Sequence, residues 1–147
     1  MTSKEYEFLY ELEGHHWWFV GMRKIVAALL DGTVPDQPLR ILDAGCGTGL
    51  MLAWLRRYGQ ESRVFGLDSS SDAVRYSAQR GERRLLQGSV TSIPFPSDFF
   101  DLVVTFDVLD SFSVEDVSIP FAELARVVKK GGWLLVRVPA FQFLYSR

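Results

Sequence analysis

The sequence has one cysteine, Cys46, and two histidines, His15 and His16, among 147 residues. A lone thiol closes no internal disulfide, so the fold has to rest on a packed core, which a chain of this length can build. No apolar run approaches the roughly 18 residues that a membrane-spanning helix needs. The opening MTSKEYEFLYELEG also lacks the basic-then-apolar order of a secretory signal. Excess positive charge is missing too. Sixteen Lys and Arg stand against eighteen Asp and Glu, a net charge of -2, which argues against a surface built to neutralise nucleic-acid phosphates. Repeats, linkers and low-complexity tracts are absent. What remains is one ordinary globular domain, 48% hydrophobic and 23% charged, expected in the cytoplasm.

Two hydrophobic periods alternate along the chain. Residues 3–13 and 17–30 have helical spacing, with Phe19, Ile25, Val26, Leu29 and Leu30 able to share a face. DGTVPDQP (31–38) breaks the pattern with turn residues. Strands are then expected in LRILDA, SRVFGLD, RRLLQG, DFFDLVVTFD and WLLVRVP. Helices are expected in GLMLAWLRRYG, SSSDAVRYSAQRG and FAELARVVKKGG, the last closing on cations and glycines that suit a helix C-terminus. This alternation predicts an α/β fold, a doubly wound and mostly parallel sheet with helices on both faces. Ligands of such sheets sit at the carboxyl ends of the strands.

At the end of the first predicted strand lies ILDAGCGTGLM, with Gly45, Gly47 and Gly49 on alternate positions. Glycines leading into a helix present free backbone N–H groups and no side chains to obstruct a ligand. Dinucleotide folds use G-x-G-x-x-G, and here Leu50 stands where the third glycine of that pattern would fall. Asp43, two residues before the first glycine, would repel a pyrophosphate and suit a cationic group. Asp68 ends the second strand about twenty residues beyond the loop, where an acid can take two ribose hydroxyls. Together these features request a nucleoside with a positively charged, non-phosphorylated tail. A plain strand-to-helix turn and a helix cap are the alternatives for the two carboxylates.

ILDAGCGTG, VFGLDSS, LLQGSVTSIPFPSDFFDLVVTFDVLD and FAELARVVKKGGWLLVRVP resemble, in order, the successive motifs of class I S-adenosylmethionine-dependent methyltransferases of the type 11 domain group. The resemblance implies a Rossmann-like sheet of order 3-2-1-4-5 preceded by amino-terminal lid helices. Residues 1–34 would be those helices, 38–138 the core and 139–147 a tail. It implies S-adenosylmethionine as cofactor, S-adenosylhomocysteine as its product, and a small-molecule O, N or C nucleophile as acceptor. Asp43, Gly45, Cys46, Gly47 and Gly49 match the motif lying along the methionine part of the cofactor. Asp68 matches the ribose-binding acid, with Ser69 beside it. Ser89 and Val90 fall in the adenine loop, where Ser89 replaces the usual aspartate. Phe106, Asp107 and Val108 would face the cofactor and the nucleophile.

The family often carries an amino-terminal helix similar to E-x-x-H-W-W-F followed by an arginine pair. Here Glu13, His15, His16, Trp17, Trp18, Phe19 and Arg23 match it, with Lys24 replacing the second arginine. By that resemblance Trp18 closes over the cofactor and Arg23 reaches its carboxylate. The alternative is that both tryptophans pack the helix on the sheet, and the residues are read as one tryptophan in the core and one at the pocket mouth. His15 and His16 are candidate general bases or caps, because imidazole titrates near neutrality. After the fourth strand the chain departs from the family: DVLDSF has Ser111 where relatives often show a histidine, and no catalytic residue is assigned. The family fold continues with two further strands, so a truncated form is expected, with self-association through WLLVRVP as an edge strand or through the tail from Pro139 onward. A cofactor-binding module without turnover is the alternative to an active enzyme.

Overall fold

The computed structural model describes residues 1–139. Two helices, α1 (Ser3–Leu12) and α2 (Trp17–Leu30), precede an alternating core. That core runs β1 (Ile41–Ala44), α3 (Leu50–Gly59), β2 (Val64–Asp68), α4 (Ser71–Gln79), β3 (Leu85–Gln87), β4 (Phe100–Phe106), α5 (Ser118–Val127) and β5 (Val128–Arg137). All five strands are parallel, in the order β3-β2-β1-β4-β5. The expected fold class and strand order therefore hold. No described helix is long and apolar enough to cross a membrane.

Local chemistry sets the helix boundaries. Thr2 and Glu5 form a reciprocal capping box on α1. His16 caps α2, its Nδ1 accepting from the Trp18 amide at 3.4 Å, and Ser70 caps α4 through the Ala73 amide. These caps satisfy amides that have no partner within the helix itself.

The sheet is buried on both faces. Ile41, Leu102 and Val104 pack with Leu52 and Leu55 of α3 and with Val26 and Leu30 of α2. Leu42, Ala44 and Val103 pack on the opposite face with Leu124 and Val127 of α5. Neighbouring strand residues alternate between these layers, as a pleated strand requires. Phe100 joins the second layer because the β4–β5 register shifts between Phe100 and Leu102.

Three expectations need correction. The last helix stops at Val127, and VKKGG (128–132) belongs to β5 rather than to a helix C-terminus. Gly132 explains part of this: a Cβ there would lie 2.8 Å from the Asp101 carbonyl, so only glycine lets the strand run that close to β4. Lys129 meanwhile reaches sideways to Asp101, 2.7 Å away. Next, α2 buries Val26 and Leu30 but leaves Ile25 and Leu29 each 52% exposed. Finally, neither Trp17 nor Trp18 enters the core, at 74% and 45% exposure. The helix is apolar around much of its circumference, and the sheet takes only one stripe of it. Among the described residues β5 pairs with β4 alone and forms a sheet edge. Most of the expected tail, residues 140–147, lies outside the described residues.

Candidate functional site

A cavity of about 570 Å³ opens along the carboxyl ends of the strands, under a roof from α1 and the start of α2. Its floor is the segment after β1. Gly45, Gly47 and Gly49 all have positive φ, at 89°, 53° and 87°. Two of them are demanded by packing. A Cβ at Gly45 would sit 2.2 Å from Val108, and one at Gly49 2.7 Å from the Ser77 hydroxyl on α4. At Gly47 a Cβ would meet nothing within 4 Å, so that glycine faces open space. The loop is thus pinned at both ends and bare in the middle, a cradle for a ligand lying against its backbone.

Asp68 holds this loop in place. Its Oδ2 accepts from the Gly47 amide and its Oδ1 from the Ser70 amide, both at 2.9 Å. A carboxylate offers about four acceptor positions, so roughly half its capacity remains for a ligand. Asp43 is the more unusual group. It is 1% exposed, and its Oδ2 has no hydrogen-bond partner among the described residues. Burial raises its pKa to about 7, the charge of Asp68 adds to the effect, and Arg137 opposes it. A buried, unpaired carboxyl is costly unless something cationic or protic meets it.

The sign of the pH effect follows. The folded chain keeps a proton on Asp43 that the unfolded chain gives up near the ordinary value of 3.8. Its contribution therefore falls as pH rises from about 4 to about 7, then levels off. Asp43→Asn is expected to remove that slope. Thermal melts of both proteins between pH 4 and pH 8 check it, and parallel pH profiles would contradict it.

The roof is fastened by a cluster of distant residues. Arg80, at the end of α4, donates to the Thr48 carbonyl (2.9 Å), the Tyr10 carbonyl (2.6 Å) and the Glu13 carboxylate (2.7 Å). Its guanidinium carbon lies 4.1 Å from the centre of the Tyr10 ring. Glu13 also accepts from the Thr48 hydroxyl. Burial raises the Glu13 pKa, while Thr48 and Arg80 oppose the shift. One arginine thus ties α1, α4 and the glycine loop together, with Tyr6, Leu9, Glu13 and Phe19 held over the cavity.

Most of the expected site residues line the cavity. Asp43 comes from β1 and Gly45, Cys46 and Gly47 from the loop after it, Asp68 from the end of β2 with Ser69 just beyond, and Ser89 and Val90 from the turn after β3. Phe106, Asp107 and Val108 close the β4 side. Burial drives the Cys46 thiol pKa well above its ordinary value, which suits a small packing residue and not a nucleophile. The Ser89 hydroxyl lies 2.7 Å from that of Thr91 and accepts from the Thr91 amide, so it first of all shapes its own turn.

Three expected residues lie outside the lining. Gly49 packs beneath the loop against Ser77. Trp18 points outward, and Phe19 takes the place at the cavity wall. Arg23 donates to the Glu13 and Gly14 carbonyls at 3.1 and 3.3 Å, closing the C-terminus of α1. Neither histidine lines the cavity. Thr48, Arg80 and Arg137 also shape the cavity, and no local pattern in the sequence marks them. Arg80 and Glu13 are 67 positions apart.

An open parallel sheet with a glycine cradle at its first strand and an acid at its second defines a Rossmann-like nucleoside-binding domain. Residues 42–136 match the methyltransferase domain family, and the chain belongs to that family, whose cofactor is S-adenosylmethionine. It is 34% identical over 116 residues to malonyl-[acyl-carrier protein] O-methyltransferase of Herminiimonas arsenicoxydans, covering 78% of this chain and 43% of that protein. It is 33% identical over 100 residues to demethylmenaquinone methyltransferase of Geobacillus kaustophilus, covering 63% of this chain and 42% of that protein. The PH0226 protein of Pyrococcus horikoshii shares the fold with a TM-score of 0.72 at 23% identity, over 84% of this chain and 59% of that one. The chain spans about two fifths of the length of these curated relatives.

Proposed function

We propose that this domain binds S-adenosylmethionine in the described cavity and transfers its methyl group to an O, N or C nucleophile of a small molecule. The buried Asp43 oxygen, without a partner among the described residues, lines the same cavity as the bare Gly47 backbone, and this carries the reading. That pair fits a ligand with a cationic, non-phosphorylated tail and would repel a pyrophosphate. Asp43 and the Gly45–Gly47 backbone would hold the amino-acid end, Asp68 the ribose, and Ser89 with Val90 the base.

When bound, the cofactor supplies a methyl group already activated on a sulfonium. The share left to the protein is binding, alignment and exclusion of water. Asp43 matches its charge to a cation. Asp68 orients the nucleoside while bracing the loop through Gly47 and Ser70. Phe19, Met51 and Phe106 limit water at the walls. No described histidine reaches the cavity, so the reading assigns no imidazole base.

Calorimetric titration with S-adenosylhomocysteine and with NAD tests the cofactor. Binding of the first and none of the second is expected, and the reverse overturns the reading. Transfer of a radiolabelled methyl to a panel of small acceptors separates an enzyme from a module that only binds. The edge of β5, unpaired among the described residues, is further proposed to accept a strand from a second copy, the role that unpaired edges invite. Sedimentation should show concentration-dependent dimers, and a monodisperse monomer at high concentration would contradict this.

A further inference from the structure

We infer that Arg137 anchors the methyl acceptor and that this acceptor is an amphiphile carrying a carboxylate. The inference rests on the cofactor reading above and extends it to the half of the cavity that reading leaves free. Glycine loop, Asp68 and the β3 turn occupy the β1, β2 and β3 ends of the cavity. The β4 and β5 ends contribute a different chemistry: apolar Phe106, Val108 and Phe112 line the cavity together with Arg137, and Phe106 lies against its guanidinium. Arg137 is the one Lys, Arg or His side chain among the described lining residues, in a cavity that also holds the carboxyls of Glu13, Asp43, Asp68 and Asp107.

The guanidinium is held in a particular way. Its Nε donates to Asp107 Oδ1 at 3.2 Å and its Nη2 to Asp107 Oδ2, so the pairing is side-on. Arginine carries five N–H donors in a rigid fork. The end-on edge, made by Nη1 and the second hydrogen of Nη2, makes no hydrogen bond with any described residue. That edge matches the two oxygens of a carboxylate. Asp107 is fixed in turn. Its amide donates to the Arg137 carbonyl at 2.9 Å, and its φ of 56° lies in the left-handed region that few non-glycine residues adopt. The guanidinium also rests 4.9 Å from the centre of the Phe106 ring. A side chain braced on two sides and open on its third is arranged to receive an anion, and the aromatic walls beside it suit an alkyl or aryl body. Ser111 does not compete for that role, because its hydroxyl donates to the Val108 carbonyl at 2.7 Å. Asp107 is a positioning residue in this arrangement.

The test is a ligand-observed NMR titration of octanoate, 1-octanol and octyl phosphate onto the full chain saturated with S-adenosylhomocysteine. The same titration is run on Arg137→Gln and Arg137→Lys. Octanoate should bind the wild type better than the other two. Arg137→Gln should weaken octanoate roughly tenfold or more, Arg137→Lys should restore part of the loss, and both should change S-adenosylhomocysteine affinity little. Four results would overturn the inference: no octanoate binding to the wild type, equal octanoate binding by Arg137→Gln, a preference for octanol or octyl phosphate, or an equal loss of S-adenosylhomocysteine affinity. The last would assign the fork to the cofactor's own carboxylate. Failure of S-adenosylhomocysteine to bind the wild type would instead sink the cofactor reading, and octanoate titrated alone would still report on the fork.

Discussion

Asp68→Ala should lower the affinity for S-adenosylhomocysteine about a hundredfold, roughly 2.8 kcal/mol. Two losses combine. The ribose hydroxyls lose a charged acceptor, and charge-assisted hydrogen bonds are about twice as strong as neutral ones. The Gly47 amide also loses the oxygen that fixes it at 2.9 Å, so the cradle itself loosens. Asp68→Asn separates the two effects, because its carbonyl oxygen can still accept from one amide while the charge is gone. Calorimetry on the three proteins, beside their melting temperatures, reads both. Affinity unchanged in Asp68→Ala would remove this residue from the site.

Arg80→Ala should be the most destabilising single change around the cavity. It leaves the Glu13 carboxylate, 9% exposed as a residue, without its ionic partner, and leaves the Thr48 and Tyr10 carbonyls without a donor. Breaking one side of a buried pair costs about 3 kcal/mol. For a domain of this size that corresponds to a melting temperature lower by roughly 10 °C. The damage should be localised. Amides of α1 should exchange faster, while those of β1 and β4, buried at the centre of the sheet, keep most of their protection. Glu13→Gln should be milder, because its amide oxygen still accepts from Arg80 and Thr48. A melting temperature for Arg80→Ala within a degree or two of wild type would show that α1 is held by its apolar contacts with Tyr76 instead.

Both predictions bear on what the linear chain could reveal. The core was legible because its strands and helices differ in period and because parallel strands buried on both faces read as continuous apolar runs, as in β4. The glycine loop and Asp68 were legible as chemistry at fixed positions relative to those strands. The amino-terminal helices were legible as helices but not in their orientation. Several stripes of α2 are apolar, and only contact with the sheet selects Val26 and Leu30 over Ile25 and Leu29. Arg23 matched a ligand-binding position, yet the nearby C-terminus of α1 presents carbonyls that claim it first. VKKGG looked like a helix end because cations and glycines often stand there. The same residues serve a strand where Gly132 must pass close to Asp101. The Arg80 latch and the Arg137–Asp107 pair join residues far apart in sequence, and no local pattern announces them.

A crystal structure of the chain with S-adenosylhomocysteine is the most direct measurement. Ribose hydroxyls are expected on the Asp68 carboxylate, with the ligand's amino group facing Asp43 across the bare face of Gly47. A ribose found away from Asp68, or an amino group that leaves the Asp43 oxygen without a partner, would contradict that arrangement.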